Sequence, residues 1–482
     1  MARDDRPRVT TAANLVLAGG ALVSVLALVY FVYHYSWIRD REFASGIGPI
    51  VYYGLPAVVS LVLFSSLLFR PSVKQNLALV LCSTALSVLC AEVVLEAVKP
   101  KHTLWTPATR QDMEALVKLA RRFGIEYDTR TQLQVVRDLR LQGVDAVPAL
   151  YPMGVLAQQP GGALRSRLEI DDVEVFALSG VSRRLTVFCN ESGEWITYQS
   201  DEHGFHNPRG LWNSAGLDIA VLGDSFAQGA CVPSDRNFVA VIRARHPATL
   251  NLGNSNKGPL QALADLREYA AAFRPGIVLW FFYGQNDFAD LGKERNSPLL
   301  TRYLDRDFSQ RLHHLRADLD RVLQDYWVGE FESIETRWPE AERPIVFPAV
   351  LRFHNLRERI GLMQYRAPPI DRTEVDDTIS LLTEILSEAK VTVDSWGGNL
   401  YLVYLPAREQ YVESHAASLN EMRRESLLSA ARSVGVAVID IHSAFESTGD
   451  PLALFPFRRR GHYNEEGHRL VGETVLRSIS RQ

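Results

Sequence analysis

Four short stretches of this chain carry residue types that could together move an acyl group. Residues 218–229 (DIAVLGDSFAQG) run from an apolar strand into Gly223, Asp224 and Ser225, and then toward a helix. A serine at the carboxyl end of such a strand sits on the rim of a sheet, where a following helix N-terminus favours developing negative charge. Residues 461–468 (GHYNEEGH) place His462 in a loop before a helix that Asn464 caps and that Glu465 and Glu466 open. That histidine could serve as a base, whereas His468, inside the helix, reads as structural or surface. Residues 283–287 (YGQND) follow a long apolar run and offer the Asn286 amide as a donor. Residues 251–259 (NLGNSNKGP) form another strand-end loop with backbone N–H groups to present. Each stretch alone is explained by a cap or a turn. Together they supply a hydroxyl nucleophile, a base and donors for an oxyanion, which is the set that acyl transfer requires.

Positioning these groups requires strands that end at one rim. The expected strands are 217–222, 249–252, 276–283, 399–405 and 436–441, mostly continuous apolar runs of the kind found when both faces are covered. Helical segments at 238–245, 260–272 and 415–434 alternate with them, so the expectation is an α/β fold with a doubly wound parallel sheet in three layers. The interval from about 290 to 372 reads as a helical insertion, of a length typical of a cap or lid, within which 344–363 is expected to pack on the domain, the alternative being that it lies on the membrane surface. Upstream, 102–212 reads as a juxtamembrane helical piece, opened by Thr106-Pro107, that leads into a small β-containing lobe. In that lobe the turn residues Asn190, Glu191, Ser192 and Gly193 predict a hairpin.

The succession Gly-Asp-Ser, a Gly/Asn loop, Gly-x-Asn-Asp and His-x-Asn-x-x-Gly resembles the four sequence blocks of the SGNH (GDSL-like) hydrolases. The resemblance covers 217–292 and 399–482. It implies a flavodoxin-like SGNH fold, Ser225 as nucleophile and His462 as base. It also implies an oxyanion hole built from the Ser225 N–H, a loop N–H at Asn256 or Gly258, and the Asn286 side chain. Two departures stand out. The family usually has an aspartate three residues before the histidine, and here that position is Arg459. Counted forward from Asn251, the expected loop glycine falls at Asn256, with Gly258 two places on. A backbone carbonyl, Asp450, or another acid brought near by folding is the expected substitute for the missing aspartate.

The first hundred residues are of another kind. Three apolar runs, 11–35, 47–69 and 77–98, each exceed the roughly 20 residues needed to cross ~30 Å of hydrocarbon, so residues 1–101 are expected to form three transmembrane helices. No cleavage signal follows the first run. The balance of Arg3, Arg6, Arg8, Arg70 and Lys74 against Arg39, Arg41, Lys99 and Lys101 leans toward a cytoplasmic N-terminus, which with three crossings places 102–482 outside the cytoplasm. Glu92 and Glu96, one turn apart near the end of the third run, read as solvated at the interface.

The 482-residue chain carries a net charge of −4, so no basic field points to nucleic acid. Neither a P-loop nor a strand-linked G-x-G-x-x-G is present, and no zinc-type spacing occurs, so no cofactor and no metal is expected. Of four cysteines, Cys82 and Cys90 fall in the third apolar run, while Cys189 and Cys231 could form one disulfide. The expected protein is a multi-pass, membrane-anchored serine esterase, its partners the bilayer and an acyl-ester substrate. The alternatives are an O-acyltransferase fed by a membrane acyltransferase partner, and an inactive binding protein on the same fold.

Overall fold

The computed structural model describes residues 6–33, 49–98, 110–214, 216–337, 353, 356–357, 372–412, 415–459 and 461–480. Thr106-Pro107 and nearly all of 344–363 lie outside them. The chain divides into two compact units: residues 1–101 with 339–374, and 102–338 with 375–482.

Among the described residues of the first unit, two helices are long and apolar enough to cross a membrane, Val9–Val32 and Pro71–Leu95. Many of their apolar side chains face outward, with Leu15, Leu79 and Val80 at least 60% exposed, which is consistent with membrane anchoring. The second of the three expected spans is corrected. It forms a shorter helix, Ile50–Ser66, opened by a π-turn at Ile50–Gly54 and followed by turn residues before Pro71. Three apolar runs therefore yield two helices of spanning length among the described residues. Glu92 is also unlike its expectation: it is fully buried and accepts the Leu356 N–H at 2.8 Å. Next to it in sequence, Arg357 Nε donates to the Tyr52 hydroxyl at 2.8 Å.

The second unit is built on five parallel strands: β1 (Ile219–Leu222), β2 (Thr249–Asn251), β3 (Ile277–Tyr283), β4 (Asn399–Leu405) and β5 (Ala437–Asp440). All five coincide with expected strands to within two residues at either end. They are ordered β2-β1-β3-β4-β5, the flavodoxin-like winding that leaves its crevice between β1 and β3. Alternate residues serve opposite faces. Ala220, Leu222, Val278, Trp280 and Phe282 enter one hydrophobic core, and Ile219, Val221, Leu279 and Phe281 the other. Helices on both faces complete three layers. Those expected at 238–245, 260–272 and 415–434 are observed as Phe238–Arg243, Pro259–Asp265 with a π-turn through Ala270, and His415–Ser433.

Before the sheet comes the lobe. Thr131 caps the helix Gln132–Leu141 in a capping box with Gln134. Strand Ala146–Pro148 pairs in parallel with Leu185–Cys189, which turns into Ile196–Gln199 as the expected hairpin. Within the expected insertion, the described residues form the helices Asp287–Glu294, Pro298–Thr301 and Arg316–Arg337. The last of these braces the lobe: Arg316 Nη1 donates to His203 O at 2.7 Å, and Asp320 accepts from the Ser182 N–H at 2.8 Å and its hydroxyl at 2.6 Å.

Candidate active site

The turn after β1 is shaped by what cannot be moved. Gly223 has φ +144°, and a Cβ there would lie 2.7 Å from the Phe281 carbonyl oxygen, so the strand can pass into the turn only through glycine. Asp224 then caps a one-turn helix, Ser225–Gln228, its Oδ1 accepting the Phe226 N–H at 2.9 Å. Ser225 is the first residue of that helix, where a backbone N–H has no intrahelical acceptor. The residue is 9% exposed.

From the other end of the unit, Asn464 caps the final helix Glu465–Ile479 by accepting the Gly467 N–H at 3.0 Å. That cap sets the loop carrying His462, whose Nε2 lies 2.7 Å from Ser225 Oγ. The ring packs against Phe226, centroids 4.7 Å apart, and Phe226 stacks on Tyr283. A carboxylate meets the other side of the ring. Glu191 Oε1 is 2.9 Å from His462 Nδ1, and Glu191 Oε2 accepts the His462 N–H at 2.6 Å. Burial disfavours an imidazolium here, but the Glu191 carboxylate outweighs it and the histidine is shifted upward. Burial likewise works against the Glu191 carboxylate, and the histidine overcomes it, so Glu191 is shifted downward. His468, by contrast, is a core residue. It is fully buried, held neutral by desolvation at about 3, and its Nδ1 accepts the Phe238 N–H at 3.3 Å.

Glu191 was legible only as a hairpin-turn residue; nothing in its spacing marks it as a partner of His462. The substitute considered by proximity, Asp450, is instead paired with Arg458 at 2.6 Å, and Arg459 is exposed.

The donor groups separate into those that are available and one that is not. Asn286 follows β3, and its Nδ2 reaches Asp224 Oδ2 at 3.2 Å, leaving the second amide hydrogen free. Burial pushes the Asp224 carboxyl up to about 6. The loop after β2 packs against the nucleophile turn: Asn251 Nδ2 donates to Ala227 O at 2.8 Å, and Gln228 Oε1 accepts the Ser255 N–H at 2.8 Å. In that loop Asn256 holds the left-handed conformation, φ +57°, which the family pattern would fill with glycine. Its side chain is exposed. Gly258 is corrected as an oxyanion donor. Its N–H is spent on Glu294 Oε1 at 2.9 Å, inside the helix layer. The Glu294 carboxyl also accepts the Leu260 N–H at 2.9 Å, so this helix start is satisfied by a buried side chain.

Cys189 and Cys231 are joined in a disulfide, with Cα atoms 5.3 Å apart. The carboxylate of Glu191, the sulfur of Cys231 and the His462 imidazole lie within 4.8 Å of one another. A sulfur committed to a disulfide is not a thiolate ligand, so the trio is organised by hydrogen bonds.

Solved structures resembling the chain include Axe2, an acetylxylan esterase from Geobacillus stearothermophilus, at 13% identity and TM-score 0.31 over 55% of this chain and 95% of that one. The lipase/acylhydrolase from Enterococcus faecalis matches at 14% and TM-score 0.29 over 55% and 95%. LAE5, an α/β hydrolase enzyme from the metagenome of Lake Arreo, matches at 14% and TM-score 0.31 over 56% and 98%. No curated protein sequence matches the chain. Residues 221–470, more than half of the chain, match the GDSL-like Lipase/Acylhydrolase family. With a serine, a histidine and amide donors gathered at one rim of the sheet within that segment, the chain belongs to the GDSL-like lipase/acylhydrolase family of serine ester hydrolases.

Proposed function

We propose that the protein hydrolyses acyl esters outside the cytoplasm, anchored by its N-terminal helices, through an acyl-serine at Ser225. The observation that carries this reading is the 2.7 Å approach of His462 Nε2 to Ser225 Oγ, a nucleophile and base already within proton-transfer distance. Ser225 Oγ bonds to the ester carbonyl carbon while its proton passes to Nε2. The resulting oxyanion is held by the Ser225 and Asn256 N–H groups and by Asn286 Nδ2. The intermediate collapses, the carbon–alkoxy bond breaks, and His462 returns the proton to the departing alcohol. Water, deprotonated by the same imidazole, then attacks the acyl carbon, the carbon–Oγ bond breaks, and His462 returns the proton to Ser225 Oγ as the acid leaves. The substrate class is an acylated glycan, lipid or small ester.

The test is turnover of short-chain aryl esters by the full chain in detergent, with fluorophosphonate labelling of the same sample. Turnover and labelling are expected; a folded protein that shows neither overturns the reading. Transfer to a sugar hydroxyl, with a membrane partner supplying the acyl group, uses the same first half-reaction. It would show as an acyl-enzyme that persists until a sugar acceptor is added.

The placement outside the cytoplasm draws support from the Cys189–Cys231 disulfide, a bond that persists in oxidising compartments. It requires either three crossings, with Ile50–Ser66 spanning by local thinning of the bilayer, or two crossings from an external N-terminus. Protease added to intact cells is expected to cut the 102–482 region. Full protection would reverse the orientation.

A further inference from the structure

From the two contacts that Glu191 makes with His462, we infer that Glu191 is the positioning acid of the catalytic histidine. It is delivered from a lobe upstream of the family-matched segment and held there by the Cys189–Cys231 disulfide. The inference rests on the Ser225–His462 reading above.

Three independent features support it. The first is the contact itself: one carboxylate holds both Nδ1 and the backbone N–H of His462, at 2.9 and 2.6 Å. This bidentate grip fixes ring rotation and loop position together, and it sets the tautomer in which Nε2 is free to accept the serine proton. The second is the space made for it. Gly461 has φ +134°, and a Cβ there would lie 2.2 Å from Glu191 Oε2. The residue beside the histidine therefore has to be glycine for this carboxylate to enter. Arg459, where the family carries its acid, is exposed, and Asp450 is occupied by Arg458.

The third feature is the rigidity of the delivery. Glu191 sits in a turn whose every side is tied down. Asn190 Nδ2 donates to Asp128 O at 2.9 Å, Tyr127 Oη donates to Asn190 O at 2.8 Å, and the Asp128 N–H donates to Gly193 O at 2.8 Å. Gln132 Nε2 donates to Val187 O at 2.8 Å, holding the strand that leads into the turn. Two residues before Glu191, Cys189 is bonded to Cys231, which belongs to the segment that follows the nucleophile helix. The disulfide thus staples the strand that leads into the acid's turn to the segment that follows the nucleophile helix. A catalytic unit bounded at residue 221 would lack both the acid and one end of the staple.

The test compares wild type, Glu191→Gln and Glu191→Asp in the full oxidised chain, with a thermal melt to establish folding. Glu191→Gln is expected to lower kcat by about 10²- to 10⁴-fold with KM little changed, the range set by removal of an orienting acid in serine proteases. Its pH profile is the readout that a structural role would not move. His462 must be neutral to accept the serine proton, so activity is lost as pH falls through its pKa. With Glu191 present that limb lies above the roughly 6.5 of an ordinary histidine; with glutamine, only the nearby Asp224 charge opposes burial and the limb moves down. Glu191→Asp is expected to recover part of kcat and part of the shift. Reduction by dithiothreitol, which takes up the disulfide as its own cyclic disulfide and leaves two thiols, is expected to lower kcat in wild type but not further in Glu191→Gln.

Wild-type kcat and an unmoved acid limb in a folded Glu191→Gln variant would overturn the inference. Full activity after verified reduction would overturn the staple. Neither result would touch the Ser225–His462 reading, which fails separately if Ser225→Ala remains active.

Discussion

Ser225→Ala is expected to reduce aryl-ester turnover by about 10⁶-fold, the scale on which single loss of a nucleophile or base removes catalysis in a serine protease. The reason is local. The hydroxyl that lies 2.7 Å from His462 Nε2 is deleted, and no neighbouring hydroxyl is seen to approach that nitrogen among the described residues. Asp224 still caps the turn through the Phe226 N–H, and alanine is well suited to the first turn of a helix. The melting curve should accordingly stay within about 0.5 kcal/mol of wild type. Fluorophosphonate labelling should vanish with turnover. Residual turnover within tenfold of wild type would show that another group attacks the ester. Because serine and histidine act as one unit, His462→Ala added to Ser225→Ala should cost little more.

The second large effect is on stability. Lys257→Met alone is expected to destabilise the unit formed by 102–338 and 375–482 by about 3–5 kcal/mol, the range for removing one partner of a buried ion pair. Lys257 and Asp265 have no exposed side-chain surface and bond to each other. Lys257 Nζ also donates to Leu252 O at 2.9 Å. Burial pushes the lysine down and the carboxyl up, to about 7, and each partner's charge opposes the other's shift. Removing the ammonium leaves Asp265 either charged and unpaired or protonated in a site shaped for an anion. Replacing both, as Lys257→Met with Asp265→Leu, should recover most of the loss, because well-packed apolar residues often match a buried pair. Chemical denaturation of the single and double variants checks this. A single variant within 1 kcal/mol of wild type would show that the pair is not what holds the loop. The same loop carries Asn256, so the single variant should also lower kcat in whatever fraction remains folded.

The residues fall into two groups by how far their partners lie along the chain. Strand β3 and its following Gly284-Gln285-Asn286 could be located from a continuous apolar run and a turn triplet, because burial on both faces and turn chemistry are written within ten residues. The His462 loop was similarly marked by the Asn464 cap and the acidic first turn, which act within one helical turn. The Ile50–Ser66 helix was overread for the opposite reason. An apolar run measures hydrophobicity, whereas helix length also depends on where hydrogen bonding stops, here at the turn before Pro71. Gly258 was misassigned because a backbone N–H looks the same in any sequence. Only the fold brings Glu294 from 36 residues away to consume it.

By itself the sequence determined the order of strands and helices, the covered parallel sheet, and the serine, histidine and asparagine at its rim. These follow from short-range patterns of burial, capping and turn chemistry. The tertiary structure alone decided which acid serves the histidine. Glu191 and His462 are 271 positions apart, and Glu191 is one glutamate in a hairpin turn. Its selection depends on a lobe packing beside the sheet, on the gap left by Gly461, and on a disulfide across 42 residues. Hydrogen bonds of that kind are set by distance in space, and distance in space between remote segments is a property of the whole packed chain.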